Sequence, residues 1–382
     1  MLDVDKPQIL PLAEKSLNYT VYDTQWIPNS KRFVTIGSHP NGSGALEIFD
    51  MLPNEKGSFN INLADSTKTP TTLSVGTFNA SPMSNRRLAT ADYAGKIVLH
   101  DLDRLQKTQN KNSETWEAVH NKNKKTIIKT LVGCGGVNIG AGPNELASGG
   151  EDGIVKVWDL RQPGEAVLSI TPAKDEQTET ANIPSIKNTP SRSCWSLAFG
   201  NAHNDSERSL VAGYDNGDVK MFDLRTRSEY WSENVKNGVV DLEFDRRDIN
   251  MNKLSAVTLE GNVHVWDTRK LSDKDQEFAR VTEIPHTSTA WRVRHLPQNR
   301  DIFMHTSGSG KAYLWKYKYP EKRVNEEGDA GVPGELDKLQ EMALSTQPIT
   351  GLDWHRNKLG LGVASSLDQC VRIFICSRLN TV

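Results

Sequence analysis

The sequence predicts an all-β fold, a closed ring of seven four-stranded blades, on three observations. The first is the segment Glu151–Arg161, "EDGIVKVWDLR", where Asp152-Gly153 supplies a tight turn and Val155 and Val157 alternate with Lys156 before Trp158-Asp159. The second is recurrence. A turn residue stands five places before a strand-ending aromatic, or its stand-in, at Gly44/Phe49, Gly95/His100, Gly153/Trp158, Gly217/Phe222, Gly261/Trp266, Gly310/Trp315 and Gln369/Phe374. The third is spacing: this inner interval is constant, while successive copies lie 44 to 64 residues apart. Fixed strands joined by variable loops give that combination.

The elements follow in order. Each copy is preceded by an alternating strand that commonly ends in an aromatic: Thr20–Trp26, Ser193–Phe199, Gly238–Phe244, Thr289–His295 and Pro348–Trp354. A strand of small residues comes next, as in Glu145–Gly150 and Ser209–Tyr214. Candidates for a fourth strand are Phe59–Leu63, Thr115–Val119, Ala166–Ile170 and Phe278–Ile284. An Asp follows the aromatic position in five copies (Asp50, Asp101, Asp159, Asp223, Asp267). Four strands per copy, seven times, is the pattern of a seven-bladed WD-repeat β-propeller, here a single domain over 1–382. A helical fold is disfavoured because the apolar runs have period two and are cut by turn residues within about ten positions.

The last copy ends so close to Val382 that its blade lacks a fourth strand. The N-terminal segment, about 6–15 with Gln8–Ala13 at its centre, is therefore expected to complete that blade and close the ring, since an open ring would leave unpaired edges. Pro7 and Pro11 suit an outer edge rather than a central strand. Excess length falls in Asp50–Thr72, Asp103–Lys125, Gln162–Arg192 and Lys318–Thr346, read as long connections. The stretches 162–192 and 318–346 are expected to be flexible, the second with a short helix at Glu335–Met342. Lysines crowd Lys107–Lys129, either as a binding patch or as a solvated loop.

Composition narrows the class. Charged residues make up 25% and the formal net charge is -2, which argues against a dedicated nucleic-acid or membrane-surface binder. Cys134, Cys194, Cys370 and Cys376 are scattered without a C-x-x-C pair, so neither zinc nor a disulfide framework is indicated and a reducing compartment is expected. No secretory leader pattern and no apolar run of about 18 residues is visible, so the reading is soluble and intracellular.

No catalytic motif survives inspection, and no cofactor or metal is expected. G-x-x-x-x-G-K-[ST], G-x-S-x-G and H-E-x-x-H are all missing. The glycine cluster Gly133–Pro143 leads into a strand, so it lacks the helix N-terminus that would bind phosphate. Nothing cationic adjoins Cys134 to activate it. His120, Ser148, Asp152 and Trp158 instead match the hydrogen-bonded relay of many WD repeats, with a catalytic use of the same His, Asp and Ser as the remote alternative. In the sixth copy His286 and Trp315 retain two members without a turn Asp, so that blade should be less firmly knit.

Tyr22, Trp195 and Trp291 on the first strands are candidates for partner binding, with packing between blades as the plainer reading. Arg292, like Arg294, is open between partner binding and interblade ion pairs. Arg161, Arg225 and Arg269 each follow the Asp by two, giving "WDLR", "FDLR" and "WDTR". This W-D-x-R pattern resembles the box by which WD-repeat substrate receptors dock on cullin-RING ubiquitin ligases; locally, such an Arg would pair with the nearby carboxylate.

Non-repeat strings carry a closer resemblance. Cys194–Arg208 ("CWSLAFGNAHNDSER"), Ala212–Arg225, Leu242–Leu254, Trp291–Phe303, Leu314–Pro320 and Leu344–Trp354 resemble the Monad-like WD-repeat family, as do "KPQI" and "NYTVYDTQWIP" near the start. The resemblance is weak over residues 50–125 and 162–192. It implies a non-enzymatic cytoplasmic adaptor, a monomer within a larger complex. The implied partners are prefoldin-like co-chaperone subunits, AAA-type ATPases and dynein chains during pre-assembly of axonemal dynein arms, with links to apoptosis and RNA polymerase assembly. Neither nucleic acid nor membrane is among them. The first rival is a ligase substrate receptor acting through the W-D-x-R arginines; the second is an enzyme in the central channel.

Overall fold

Period-two alternation cut by turns builds seven antiparallel four-stranded sheets in a computed structural model describing residues 6–55, 58–80, 85–102, 114–134, 144–162, 164–171, 192–203, 207–246, 249–272 and 275–381. Blade one holds β2 (Thr20–Trp26), β3 (Arg32–Ser38), β4 (Gly44–Pro53) and β5 (Phe59–Thr69). Blade two holds β6 (Leu73–Thr77), β7 (Arg87–Asp92), β8 (Lys96–Asp101) and β9 (Glu114–Val119). Blade three is β10 (Ile128–Gly133), β11 (Glu145–Gly150), β12 (Val155–Asp159) and β13 (Leu168–Ile170). Blade four is β14 (Cys194–Gly200), β15 (Ser209–Tyr214), β16 (Asp218–Asp223) and β17 (Ser228–Asn234). Blade five contains β18 (Val239–Phe244), β19 (Lys253–Thr258), β20 (Val263–Leu271) and β21 (Phe278–Glu283). Blade six contains β22 (Ala290–Leu296), β23 (Asn299–Ser307), β24 (Lys311–Lys318) and β25 (Glu335–Ala343). Blade seven joins β26 (Ile349–Trp354), β27 (Leu361–Ser366) and β28 (Cys370–Ser377) to β1 (Gln8–Ser16) from the other end of the chain.

The fold is thus a seven-bladed β-propeller, and the N-terminal strand does close it. β1 runs antiparallel to β28 from Gln8 opposite Ser377 to Ser16 opposite Cys370. Pro11 is accommodated because β1 is the outer edge and a bulge between Pro11 and Ala13 absorbs the missing donor. The first strands of successive blades pack on one another in an unbroken cycle, so they line the central channel.

Burial follows from this arrangement. Each junction between neighbouring blades has its own apolar cluster, as where Val211, Met221 and Trp231 of blade four meet Leu242, Leu254 and Trp266 of blade five. Both faces of a blade are therefore covered, which is why the second strands β11, β15, β19 and β27 are buried at every position. Small residues there let the sheets approach. A Cβ added at Gly213 would stand 2.7 Å from Val239 of the next blade.

Three expectations need correction. Glu335–Met342 is not a helix but most of β25, paired along β24 from Lys318 opposite Glu335 to Lys311 opposite Ala343. Its helix-favouring residues are overruled by packing: Leu336 reaches the junction of blades five and six, while Leu339 and Met342 reach that of blades six and seven. Most of Lys318–Thr346 is accordingly structured sheet and turn, with Val324 bridged to Gly331. Asp50–Thr72 is not a loop either, because β4 and β5 stay paired out to Pro53 opposite Phe59. In the first copy the left-handed residue is Gly42 (φ 81) rather than Gly44, which begins β4; in the last, Gln369 takes that conformation (φ 63). Lys107, residues 135–143 of the glycine cluster and residues 172–191 lie outside the described residues.

Candidate functional site

The relay of blade three is assembled by β11, β12 and the turn between them. Ser148 Oγ on β11 accepts the Trp158 Nε1–H at 2.8 Å and lies 2.8 Å from His120 Nδ1. With Ser148 donating to Nδ1, the His120 proton sits on Nε2, which faces Asp152 Oδ1 at 3.4 Å. Burial alone would raise the Asp152 carboxyl, but His120, Asn121 and the Ile154 N–H outweigh it and bring the pKa down to about 2. Ser148 and His120 are wholly buried, so the set holds a turn in place and offers substrate no access.

Register places the same two positions diagonally across the second and third strands of every blade, two residues apart, and in most blades their chemistry is matched. Thr90 faces His100, whose Nε2 lies 2.9 Å from the threonine hydroxyl. Ala212 accompanies Phe222, and Ala364 accompanies Phe374, where no ring N–H needs an acceptor. In blade one Phe49 needs none, so Thr35 turns to the Tyr19 hydroxyl. In blade five Ala256 offers nothing, and Trp266 Nε1 donates to Glu233 Oε2 of blade four at 2.7 Å. Blade six corrects the expectation of a loosened repeat. Trp315 Nε1 donates to His305 Nδ1 at 2.8 Å, and His305 Nε2 lies 3.0 Å from His286 Nε2. His286 Nδ1 then donates to the Ser288 carbonyl at 2.8 Å, completing a relay with histidine in the serine's place.

The channel wall carries a second device that sequence reading missed. Carboxylates on one first strand accept backbone N–H groups from the first strand of the next blade. Asp23 reaches Gly76 N at 3.3 Å, Asp241 reaches Val293 N at 2.9 Å, and Asp353 reaches Trp26 N at 2.8 Å. Glu243 reaches His295 N at 2.5 Å. Adjacent first strands do not share a β ladder, so these side chains satisfy donors that would otherwise face the channel. Burial pushes the Asp353 carboxyl up to about 6, against the pull of the Trp26 N–H and of Arg356 and Arg294.

Arg292 belongs to this wall. It donates from Nε to the Thr350 carbonyl at 2.7 Å and stands 3.7 Å from Asp241 and 3.9 Å from Asp23. Arg294 pairs with Asp241 at 2.6 Å. The structure therefore engages Arg292 between blades rather than presenting it to a partner. A related network ties blade five to blade six: wholly buried Lys253 donates to Asp301 at 2.7 Å and lies 4.6 Å from the Tyr319 ring centre. The only sequence signal was a lysine at the start of a small-residue strand.

Every first strand bulges near its start, leaving Tyr22, Ser74, Lys129, Trp195, Val240, Trp291 and Thr350 opposite no residue of the second strand. The bulges lie near the starts of first strands and so fall at one end of the channel, although Thr350 is buried there against the Val21 carbonyl. Tyr22, Trp195 and Trp291 are all half-buried there. Tyr22 stacks on Tyr93 with centroids 6.2 Å apart, and Trp195 covers Gly238 of the next blade. They are distributed around the mouth, on blades one, four and six, and do not touch as one cluster.

The W-D-x-R arginines share local pairing and differ in access. Arg161 grips Asp159 with Nη2 at 2.7 Å and Nε at 2.9 Å, yet its side chain is 73% exposed. Arg225 stands 3.8 Å from Asp223 and is 65% exposed. Arg269 pairs with Asp267 and is only 19% exposed, because Tyr319 covers it at 4.9 Å.

Seven four-stranded blades, a Ser-His-Asp-Trp relay in blade three and a histidine variant of it in blade six define the class: a WD-repeat β-propeller. The WD domain, G-beta repeat family matches residues 127–159, which span β10 to β12. The chain is 44% identical to dynein axonemal assembly factor 10 of Xenopus laevis, over 99% of this chain and 98% of the relative. Identity is 41% to the proteins of that name in Homo sapiens and Chlamydomonas reinhardtii, with 99% of each chain covered. The chain belongs to the dynein axonemal assembly factor 10 family. Among the described residues no helix is long and apolar enough to cross a membrane, and no cluster of His, Cys, Asp and Glu suits a metal ion.

Proposed function

We propose that this chain is a non-enzymatic protein–protein scaffold serving the assembly of axonemal dynein, as a cytoplasmic adaptor between co-chaperone subunits and dynein chains. The observation that carries the reading is end-to-end identity of 41% with family members as distant as Chlamydomonas reinhardtii and Homo sapiens. Likeness restricted to the repeats would speak only for the fold. Closed rings with separate mouths, outer edges and loops offer several rigid surfaces at once, as an adaptor needs. Prefoldin-like proteins and AAA-type ATPases are the co-chaperone partners in this reading, with the chain a monomer inside the larger assembly. Affinity purification of the tagged chain from ciliated cells, read by mass spectrometry, tests it. Dynein heavy and intermediate chains with co-chaperone subunits should be enriched; recovery of neither removes the proposal.

The exposure of Arg161 and Arg225 favours a second reading, docking on a cullin-RING ligase adaptor. Reversing both charges should abolish ligase recovery and spare the co-chaperones if that reading holds.

A further inference from the structure

The mouth of the channel over blades one to three carries a surface that the relay and the wall do not use. Tyr22 at the bulge of β2 stacks on Tyr93, which is 37% exposed at the turn of blade two. Lys129, at the equivalent bulge of β10, is exposed, and its charge acts on the Tyr22 phenol against the upward push of burial. The connection leading into β10 adds Lys124 and Lys125, both exposed and without an ion-pair partner among the described residues. Lys129 itself has Glu151 at 3.0 Å, and Lys122 has Glu165 at 3.5 Å across solvent. Such exposed pairs are weak and exchange readily for a better anion.

These groups have complementary demands. Two phenol rings present flat apolar area with polar tips at little entropic cost, the property that makes aromatics dominate binding hot spots. Lys124 and Lys125 carry no ion pair among the described residues and Lys129 holds only an exposed one, in a chain whose formal net charge is -2, so the patch is a local feature and not an overall field. Asp92, next to Tyr93 in the chain, is engaged by the N–H groups of Ala94 and Lys96, and Asp23, next to Tyr22, by Gly76 N and Gln25.

We propose that this quadrant of the mouth docks an extended acidic peptide segment of a partner protein, seating an apolar or aromatic residue on the Tyr22–Tyr93 pair and carboxylates on Lys124, Lys125 and Lys129. The inference rests on the scaffold reading and does not depend on which assembly is served.

Selection of a displayed library of random dodecapeptides on the full chain tests it. Enriched sequences should carry an Asp or Glu excess flanking a large apolar residue. A fluorescein-labelled peptide from that pool should bind at least tenfold more weakly to Lys125→Glu/Lys129→Glu and to Tyr22→Ala, and about equally to Lys358→Glu, an exposed residue beyond the far end of β26. Unchanged circular-dichroism melting of the lysine variant, whose replaced groups are exposed, separates lost docking from lost fold. Enriched peptides without acidic excess, equal binding by the variants, or tighter capture of a single-stranded oligonucleotide than of any peptide would overturn the proposal. If acidic peptides bind as described while the lysine variant still recovers dynein chains from ciliated cells, the docking site stands and dynein reaches the ring elsewhere.

Discussion

Replacing Ser148 by alanine tests the relay most directly. One oxygen satisfies two buried groups, His120 Nδ1 and Trp158 Nε1, each at 2.8 Å. A buried polar group left unpaired costs about 1–3 kcal/mol, so the loss should total about 2–4 kcal/mol after some relaxation of the imidazole. For a chain of this length that corresponds to a melting shift of roughly 3–6 °C. The protein supplies its own control, because blade four holds Ala212 and Phe222 at the equivalent positions. Trp158→Phe removes the donor along with buried packing, so Ser148→Ala should cost about half as much in that background as in wild type. Urea unfolding of wild type, both single variants and the double variant measures this cycle, provided the dependence on denaturant is unchanged. Ser148→Ala within about 0.5 kcal/mol of wild type, or an equal cost of Ser148→Ala in both backgrounds, would refute the reasoning.

Removing residues 1–16 deletes β1, exposes the edge of β28 and uncovers the site of buried Ile9; the melting temperature should fall by about 5 °C or more, with aggregation through the opened edge. Burial, aided by Lys96, holds His100 down at about 4, so its unfolded form takes up protons first. Stability should then fall as pH drops from 6.5 toward 4, by about 3 kcal/mol for this group, and His100→Phe should flatten that slope. Asp353 has the opposite sign, its carboxyl raised to about 6, so protonation favours the folded state as pH falls through 6. Asp353→Asn keeps an acceptor for the Trp26 N–H and should raise the urea midpoint at pH 7.5, the gain vanishing near pH 4. Lys253→Met strips the counter-charge from Asp301 and Asp245 and should cost about 3–5 kcal/mol in the same assay.

Architecture was legible because a propeller repeats its turn and its aromatic. Gly153 and Trp158 fix a hairpin wherever they recur, and the missing last strand announced that Gln8–Ala13 must fill it. Helix-forming residues hid β25, since "ELDKLQEM" shows its two apolar faces only once blades five and seven flank it. The interblade carboxylates were half legible: ion pairs between blades were one of two open readings for Arg292 and Arg294 and for Asp241 and Glu243, but their capture of backbone N–H groups was hidden. Asp241 and Glu243 look like ordinary polar positions of an alternating strand, and nothing local says that Val293 N and His295 N stand within reach. The stand-in role of His305 was missed for a different reason: a search for Ser or Thr at that place passes over another side chain able to accept the same indole proton. Of the candidate site residues, Arg292 is drawn into the wall, whereas the aromatics are left at the mouth by bulges that periodicity cannot reveal.

The latch between β1 and β28 also sets a schedule. Its outermost contact joins Gln8 to Ser377 across 369 residues. Synthesis at about 5–20 residues per second puts roughly 20–70 s between the emergence of the first strand and that of its partner. Throughout that interval β1 is a strand without a sheet and the first six blades are a ring without a lock. Newly made chains are therefore expected to need shielding of that N-terminal segment for about a minute, until β28 emerges to pair with it.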